Sequence, residues 1–137
     1  MACKALIKLI SIIDGERFGN TYEGEYLFEN GRHCLSYSEK TENGCTHTKV
    51  EAGKEALTLK RKGDINSKMI FDTSKSSTAD YGAYGATGKF CVNTYVYETF
   101  FRGKLLNIRF HYGLDDMRGN EIKCIQRITA EIFEENL

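Results

Sequence analysis

The sequence contains no proline and no tryptophan, although average usage of about 5% proline would give roughly seven prolines in a chain of 137 residues. Its turns must therefore be made by glycine and by Asn-Gly or Gly-Asp pairs. The sequence also lacks a net charge, because Lys and Arg total 19 and Asp and Glu total 19. A duplex-binding protein normally needs a basic surface that displaces counterions from phosphates, so we expect no nucleic-acid partner.

The chain has no C-x-x-C pair, and its five cysteines are an odd number. Such a set is ordinary in a reduced cytoplasmic protein, where cysteine behaves as a small apolar residue. The apolar run from Cys3 to Ile13 is too short to span a bilayer, and Lys8 interrupts it. Asp14 and Gly15 follow it instead of a small-residue cleavage site, so we expect a first β-strand and not a signal peptide. The expected protein is soluble and cytoplasmic and has no membrane partner.

Recognised catalytic motifs are absent as well. The sequence has no G-x-S-x-G, H-E-x-x-H or P-loop pattern, and no identifiable base accompanies a Ser, Cys or Thr nucleophile. The adjacent carboxylates Asp115 and Asp116 are typical of a solvated turn, since neighbours in sequence do not form a general acid and base pair. The sequence therefore gives no support for an enzyme or for a cofactor.

The stretch from Thr21 to Glu51 shows what the chain does contain, which is three successive β-strands. Asn30-Gly31 joins the first two and favours a type I′ hairpin, because both residues tolerate a positive φ. The predicted facing pairs are Glu29 with Arg32, Phe28 with His33, Tyr26 with Leu35, and Gly24 with Tyr37.

The second joint contains Asn43-Gly44, and a two-residue loop there sets Tyr37 opposite Val50 and Glu39 opposite Thr48. Both hairpins then place the aromatic residues on one face of the sheet. The predicted opposite face carries Glu23, Glu25, Glu29, Ser36 and Ser38. Two turns that agree in this way predict a meander with one buried face.

The next two strands are predicted at Ala56–Lys62 and Ile65–Phe71. A bulged connection at Gly63-Asp64 keeps the apolar residues on one face. Its predicted facing pairs are Leu57 with Phe71, Leu59 with Met69, and Arg61 with Ser67. A short strand from Thr78 to Tyr84 and a turn through Gly85 and Gly88 follow.

Three further elements complete the chain. A long strand is predicted at Lys89–Phe101, with Phe90, Val92, Thr94 and Val96 on one face. A turn at 102–104 leads into Leu105–Gly113, where apolar and polar residues alternate, and then into a polar loop. The segment Glu121–Phe133 has isoleucines at helical spacing, but its β-branched content favours a strand over a helix.

Nine or ten strands in hairpin order, with no helix to cover them, must bury one face against themselves. The predicted fold is all-β, a single antiparallel up-and-down barrel of about eight to ten strands and of the calycin or lipocalin type, spanning residues 1–137 as one domain. A two-sheet sandwich is the alternative.

Several short motifs resemble the YwiB-like family of small bacterial proteins. They are Leu35–Tyr37, Leu59–Gly63, Tyr81 with a glycine-containing turn before Phe90–Thr94, and Leu106–Tyr112. The resemblance covers about residues 24–112 and implies a calycin-like β-barrel with an interior pocket and no assigned activity. It supplies no catalytic residues. The segment Tyr81–Gly85 departs from the family pattern, because Ala83 stands where threonine is expected and the glycine is displaced by one position.

The predicted inward face mixes apolar and polar side chains, and its polar members are the candidate ligand-binding residues. These are Tyr22, Tyr26, His33, Tyr37, Arg61 and Tyr112. Inside a barrel they must either hydrogen-bond one another in a filled interior or meet a bound molecule. A filled interior has no room for a ligand, and it predicts a protein-interaction module or a homodimer. The contact surface is then the outer face of the first strand together with Leu27. The second alternative predicts a small amphipathic or anionic ligand, with its anionic group on Arg61.

His33-Cys34 and Cys45-x-His47 suggest a zinc site, but the predicted hairpin argues against it. With Asn43-Gly44 as the loop, Cys34 faces Gly53 and Cys45 faces Glu42, so the two cysteines lie roughly 27 Å apart along the ladder. Zinc ligands must converge within a few ångströms. We therefore expect no metal site.

Overall fold

A computed structural model of the protein describes residues 2–41, 44–83 and 86–133. These residues form ten β-strands and no helix. The strands are β1 (Cys3–Ile13), β2 (Glu16–Glu29), β3 (Arg32–Thr41), β4 (Gly44–Ala52), β5 (Ala56–Gly63), β6 (Ile65–Asp72), β7 (Ser77–Ala83), β8 (Ala86–Arg102), β9 (Leu105–Asp115) and β10 (Glu121–Phe133). The last strand has the predicted bounds, so the strand and not the helix is correct there.

The ten strands close into one barrel. Each strand pairs antiparallel with the next in the chain, and β10 returns to pair with β1. The predicted all-β, up-and-down antiparallel barrel is confirmed. Because β1 is the strand at which the sheet closes, Ile7 faces Tyr22 on β2 and Ala130 on β10. Closure gives each described strand a neighbour on both sides, although β6 and β7 share only three facing pairs.

The hairpin between β2 and β3 follows the sequence prediction in full. Asn30 and Gly31 have φ values of 54° and 73°, as a type I′ turn requires. All four predicted facing pairs are present, including Tyr26 with Leu35 and Gly24 with Tyr37.

The predicted pairing of β3 with β4 is wrong by two residues. Val50 faces Leu35 instead of Tyr37, and Thr48 faces Tyr37 instead of Glu39. Gly44 belongs to β4, where it pairs with Thr41, while Asn43 lies outside the described residues. Side chains alternate with a period of two, so this shift keeps every residue on its predicted face.

The hairpin between β5 and β6 has the predicted bulged geometry. Leu57 faces Phe71, and Arg61 faces Ser67. Gly63 has a φ of +135°, and a Cβ at this position would lie 2.2 Å from the backbone oxygen of Cys45. The tight joint therefore needs glycine.

Two predictions for the following strands are corrected. Gly88 lies within β8, opposite Tyr81, and is not part of the turn; Tyr84 and Gly85 lie outside the described residues. The pairing of β8 with β9 shifts between Thr94 and Val96. This irregularity changes the alternation, so that Tyr97 packs on the core, while Val96 pairs with His111 on the outer face.

The two ends of the barrel differ in how they are filled. We call the end with the hairpins at Asp14–Gly15, Gly63–Asp64 and residues 116–120 the hollow end, and the end with Asn30–Gly31 and Gly103–Lys104 the plugged end. Towards the plugged end the Tyr97 hydroxyl reaches across the interior and donates a hydrogen bond of 2.6 Å to the Gly53 carbonyl. The side chains that are fully buried include Ile7, Leu35, Val50, Leu57, Phe71, Leu106 and Ile108.

Within the described ranges, no helix is long and apolar enough to cross a membrane.

Candidate functional site

A cavity of about 460 Å³ opens at the hollow end of the barrel. Its walls include inward side chains of β1, β2, β3, β5, β6, β9 and β10. Cavities that hold small molecules in proteins usually measure about 300–1,000 Å³. The cavity is therefore large enough for one small ligand.

Four of the six predicted lining residues meet in this cavity, namely Tyr22, Tyr37, Arg61 and Tyr112. The Tyr22 and Tyr37 rings stack with centroids 4.9 Å apart. Tyr112 makes an edge contact with Phe71 at 4.7 Å. These rings form rigid aromatic walls around the side of the cavity where Arg61 lies.

Arg61 occupies the centre of a polar row that crosses three strands. It faces Thr48 on β4 and Ser67 on β6. Thr48 is 2% exposed and Ser67 is 9% exposed. Among the described residues, the buried Nε of Arg61 and the hydroxyl of Ser67 have no hydrogen-bond partner, whereas the Thr48 hydroxyl interacts with that of Tyr37. The fold thus leaves two neighbouring buried polar groups of this row unsatisfied, although folded proteins normally pair such groups.

The tyrosines beside this row remain neutral. Burial raises the pKa of both Tyr37 and Tyr112, and the Glu39 carboxylate raises that of Tyr37 further, while Arg61 opposes the shift at both. Burial also raises the pKa of Tyr22, with Glu39 adding to the effect. The phenols near Arg61 can therefore donate hydrogen bonds at neutral pH.

Sequence reasoning missed several residues of the cavity. Glu39 lies in it and is the one carboxylate among its described lining residues. The alternation from Tyr37 to Glu39 carries the signal that could have identified it. Ser11 donates a 2.6 Å hydrogen bond to Gln126 on the neighbouring strand β10, so this polar pair in the wall is internally satisfied.

Tyr26 and His33 lie at the plugged end and do not line the cavity, which corrects the expectation of one shared space with Arg61. The Tyr26 hydroxyl is 2.7 Å from His33 Nδ1. The His33 ring also stacks on Phe101 at 5.3 Å and tilts against Phe28 at 4.9 Å. Tyr26 and His33 thus belong to an aromatic plug. The predicted inward face is right for both, but their depth in the barrel is not.

The region considered for zinc has a different register from the one predicted. Cys34 faces Glu51 and Cys45 faces Lys40, which sets the two cysteines six positions apart along β3, or roughly 20 Å. Ser38 and His47 Nδ1 form a hydrogen bond of 2.7 Å on the outer wall. In the part of the chain that is described, no group of three or more His, Cys, Asp or Glu could hold a metal ion.

A family model described as a domain of unknown function (DUF1934) matches residues 7–127. No curated protein matches the sequence. The fold is similar to the crystal structure of the YwiB protein from Bacillus subtilis, with a TM-score of 0.86 and 20% sequence identity over 97% of this chain and 94% of that one. The protein belongs to the DUF1934 family, whose function is unknown, and it has the closed β-barrel fold of YwiB.

Proposed function

We propose that this protein binds a small anionic or amphipathic molecule inside the barrel, with Arg61 as the anchor for the anionic group. The observation that supports it is Arg61, which lies in the wall of a cavity of about 460 Å³ and whose buried Nε has no hydrogen-bond partner among the described residues. The hydroxyl of Ser67, which faces Arg61, is also unsatisfied there. A buried polar group without a partner costs roughly 1–3 kcal/mol. A fold that leaves two such groups side by side therefore gives up stability at this one place.

An anion compensates this cost directly. A carboxylate or phosphate oxygen accepts hydrogen bonds from a guanidinium and from hydroxyls, and charge-assisted bonds are the stronger ones. The described residues include no carboxylate within ion-pairing distance of Arg61. The cation in the cavity is therefore free to pair with a ligand, and Tyr22, Tyr37 and Tyr112 contribute aromatic walls and further donors.

A thermal-shift screen with anionic and amphipathic metabolites tests this function. Compounds that raise the melting temperature of the wild type should no longer do so in Arg61→Ala. Tyr26→Phe is the matched control, because it removes a hydroxyl from the plugged end and should keep the ligand-induced shift. If no anionic or amphipathic compound shifts the melt, or if Arg61→Ala responds like the wild type, the proposed anion site is wrong.

Self-association is the second candidate, and a specific feature of the outer wall favours it. Ile12 faces Ile125 across β1 and β10, and Ile125 is 37% exposed. Ile10 extends this apolar patch along the outer face of β1, whereas Leu27 lies apart from it on β2. We propose a second copy of the chain as the partner, since a two-fold dimer brings the same patch of both copies together. Light scattering at micromolar concentration should show a dimer in the wild type and a monomer in Ile125→Lys, and a wild-type monomer would exclude it.

The cytoplasm is the compartment we propose. All five cysteines are free thiols, and Cys34 and Cys124 are buried. Free cysteines are common in reducing compartments.

A further inference from the structure

The mouth of the cavity is apolar on one side. Ile13, Phe18 and Ile122 line the cavity and are 39%, 47% and 48% exposed, respectively. They belong to β1, β2 and β10, which are adjacent strands of the barrel. We call these three residues the apolar rim. Arg61 lies on β5, which is three strands away from β2, whereas Glu39 lies on β3, next to β2, and both line the same cavity.

The apolar rim costs free energy while it faces water. Apolar surface left in contact with water forgoes the stabilisation that its burial would give. Single exposed apolar residues are normal on protein surfaces, but three on adjacent strands beside one opening are typical of a binding site. The rim is also continuous with the inner apolar wall, because Leu114 on β9 faces Ile122 on β10 and also lines the cavity.

Resting on the proposed function, we propose that the ligand is a single-chain amphiphile bound with its head inward. Its anionic group lies on Arg61 in the polar row, and its apolar chain leaves the cavity along Phe18, Ile13 and Ile122. In this orientation the anionic group pairs with Arg61, which has no ion pair among the described residues, and the apolar chain covers the exposed apolar rim. The cavity size suits one chain of small-molecule dimensions and not a large two-chain lipid.

The chemistry excludes three related ligand classes. A short anion such as acetate satisfies Arg61 but leaves the apolar rim in water. A neutral alcohol of equal chain length covers the rim but offers no charge to the guanidinium. An alkylamine brings a cation towards Arg61 and is repelled. An alkyl carboxylate is therefore expected to bind more tightly than all three.

Calorimetric titration with acetate, hexanoate, octanoate and decanoate, octanol and octylamine tests this inference, at concentrations below micelle formation. Affinity should rise about threefold or more per added methylene until the chain covers the rim. Octanoate should bind at least tenfold more tightly than octanol, and this preference should vanish in Arg61→Gln.

Phe18→Ser should flatten the dependence on chain length while the preference for acid over alcohol remains. Phe100→Ser is the matched control, because Phe100 is 56% exposed and does not line the cavity, and it should behave like the wild type.

If anions bind through Arg61 with no gain per methylene, the amphiphile inference is overturned and the proposed function stands. If affinity depends on chain length but is the same in Arg61→Gln as in the wild type, the inferred binding of the anionic head to Arg61 is wrong. If no compound in the series binds, this inference is overturned, and the metabolite screen then decides the proposed function separately.

Discussion

The rings of Tyr22 and Tyr37 stack across β2 and β3 with centroids 4.9 Å apart and an interplanar angle of 20°. Gly24 makes this stack possible, since it faces Tyr37 across the ladder. A Cβ on Gly24 would lie 2.3 Å from the Ser36 backbone oxygen and 3.1 Å from the Tyr37 Cβ. The missing side chain therefore lets the two strands approach and sets one wall of the cavity.

Gly24→Ala should destabilise the protein by about 1–3 kcal/mol, because backbone atoms must move to accept the methyl group. Urea unfolding followed by circular dichroism measures this loss. Gly19→Ala on the same strand is the control: its Cβ would meet only the Leu9 oxygen, at 3.8 Å, and it should unfold at the wild-type urea concentration or above it. Equal midpoints for the two variants would contradict the close approach at Gly24.

Arg61→Met should leave the free energy of unfolding unchanged or raise it by up to about 1 kcal/mol, while the response to anionic ligands is lost. Methionine reaches about as far as the Nε atom and leaves no buried nitrogen unsatisfied. Exchanging a buried charged group for an apolar one is often neutral or stabilising. Urea unfolding and ligand titration on the same samples separate the two effects. A destabilisation of more than about 1 kcal/mol would mean that Arg61 supports the fold itself.

Glu39→Gln should tighten the binding of anionic ligands about twofold to tenfold, because it removes the carboxylate from the cavity that contains Arg61. The difference should shrink as salt is added. Calorimetric titration with a hit from the anion screen measures it. Glu25→Gln, on the outer wall, is the control and should leave the affinity unchanged. Weaker binding in Glu39→Gln would show that the carboxylate accepts a hydrogen bond from the ligand.

The stability of the plugged end should depend on the ionisation of His33. Burial lowers the pKa of His33 from its ordinary value of 6.5, so the unfolded chain binds this proton more readily than the folded one. The contribution of His33 to stability is therefore complete above the unfolded pKa and is lost as the pH falls through the lower folded pKa. Urea unfolding at a series of pH values between about 7.5 and 5 should show less of this decline in His33→Gln. The same pH dependence of the free energy of unfolding in the wild type and in His33→Gln would contradict the lowered pKa of His33.

Local patterns were sufficient to predict much of this fold. Asn30-Gly31 gave the right turn and the right partner for Tyr26, because a two-residue loop leaves only one pairing. The alternation in Leu106–Tyr112 identified the buried face of β9, since successive side chains in a strand point in opposite directions. The same rule placed Arg61 inside the barrel.

Other features could not be predicted from local patterns. The pairing of β3 with β4 depends on which residues form the loop. A two-residue error in that loop leaves each side chain on the same face of the sheet, so the alternation of apolar and polar residues does not reveal it. The shift beside Tyr95 depends on how β8 fits β9, so Val96 was assigned to the wrong face. Tyr26 and His33 were assigned correctly to the interior, yet alternation does not give height along the barrel axis.

The sequence by itself determined that the chain forms antiparallel hairpins with one aromatic face, because turn chemistry and alternation act between near neighbours. Only the tertiary structure decided that this face divides into an aromatic plug around Tyr26 and His33 and a cavity around Arg61. The physical reason is closure: when β1 pairs with β10, the stagger of all ten strands fixes the depth of each side chain. No single hairpin contains that information.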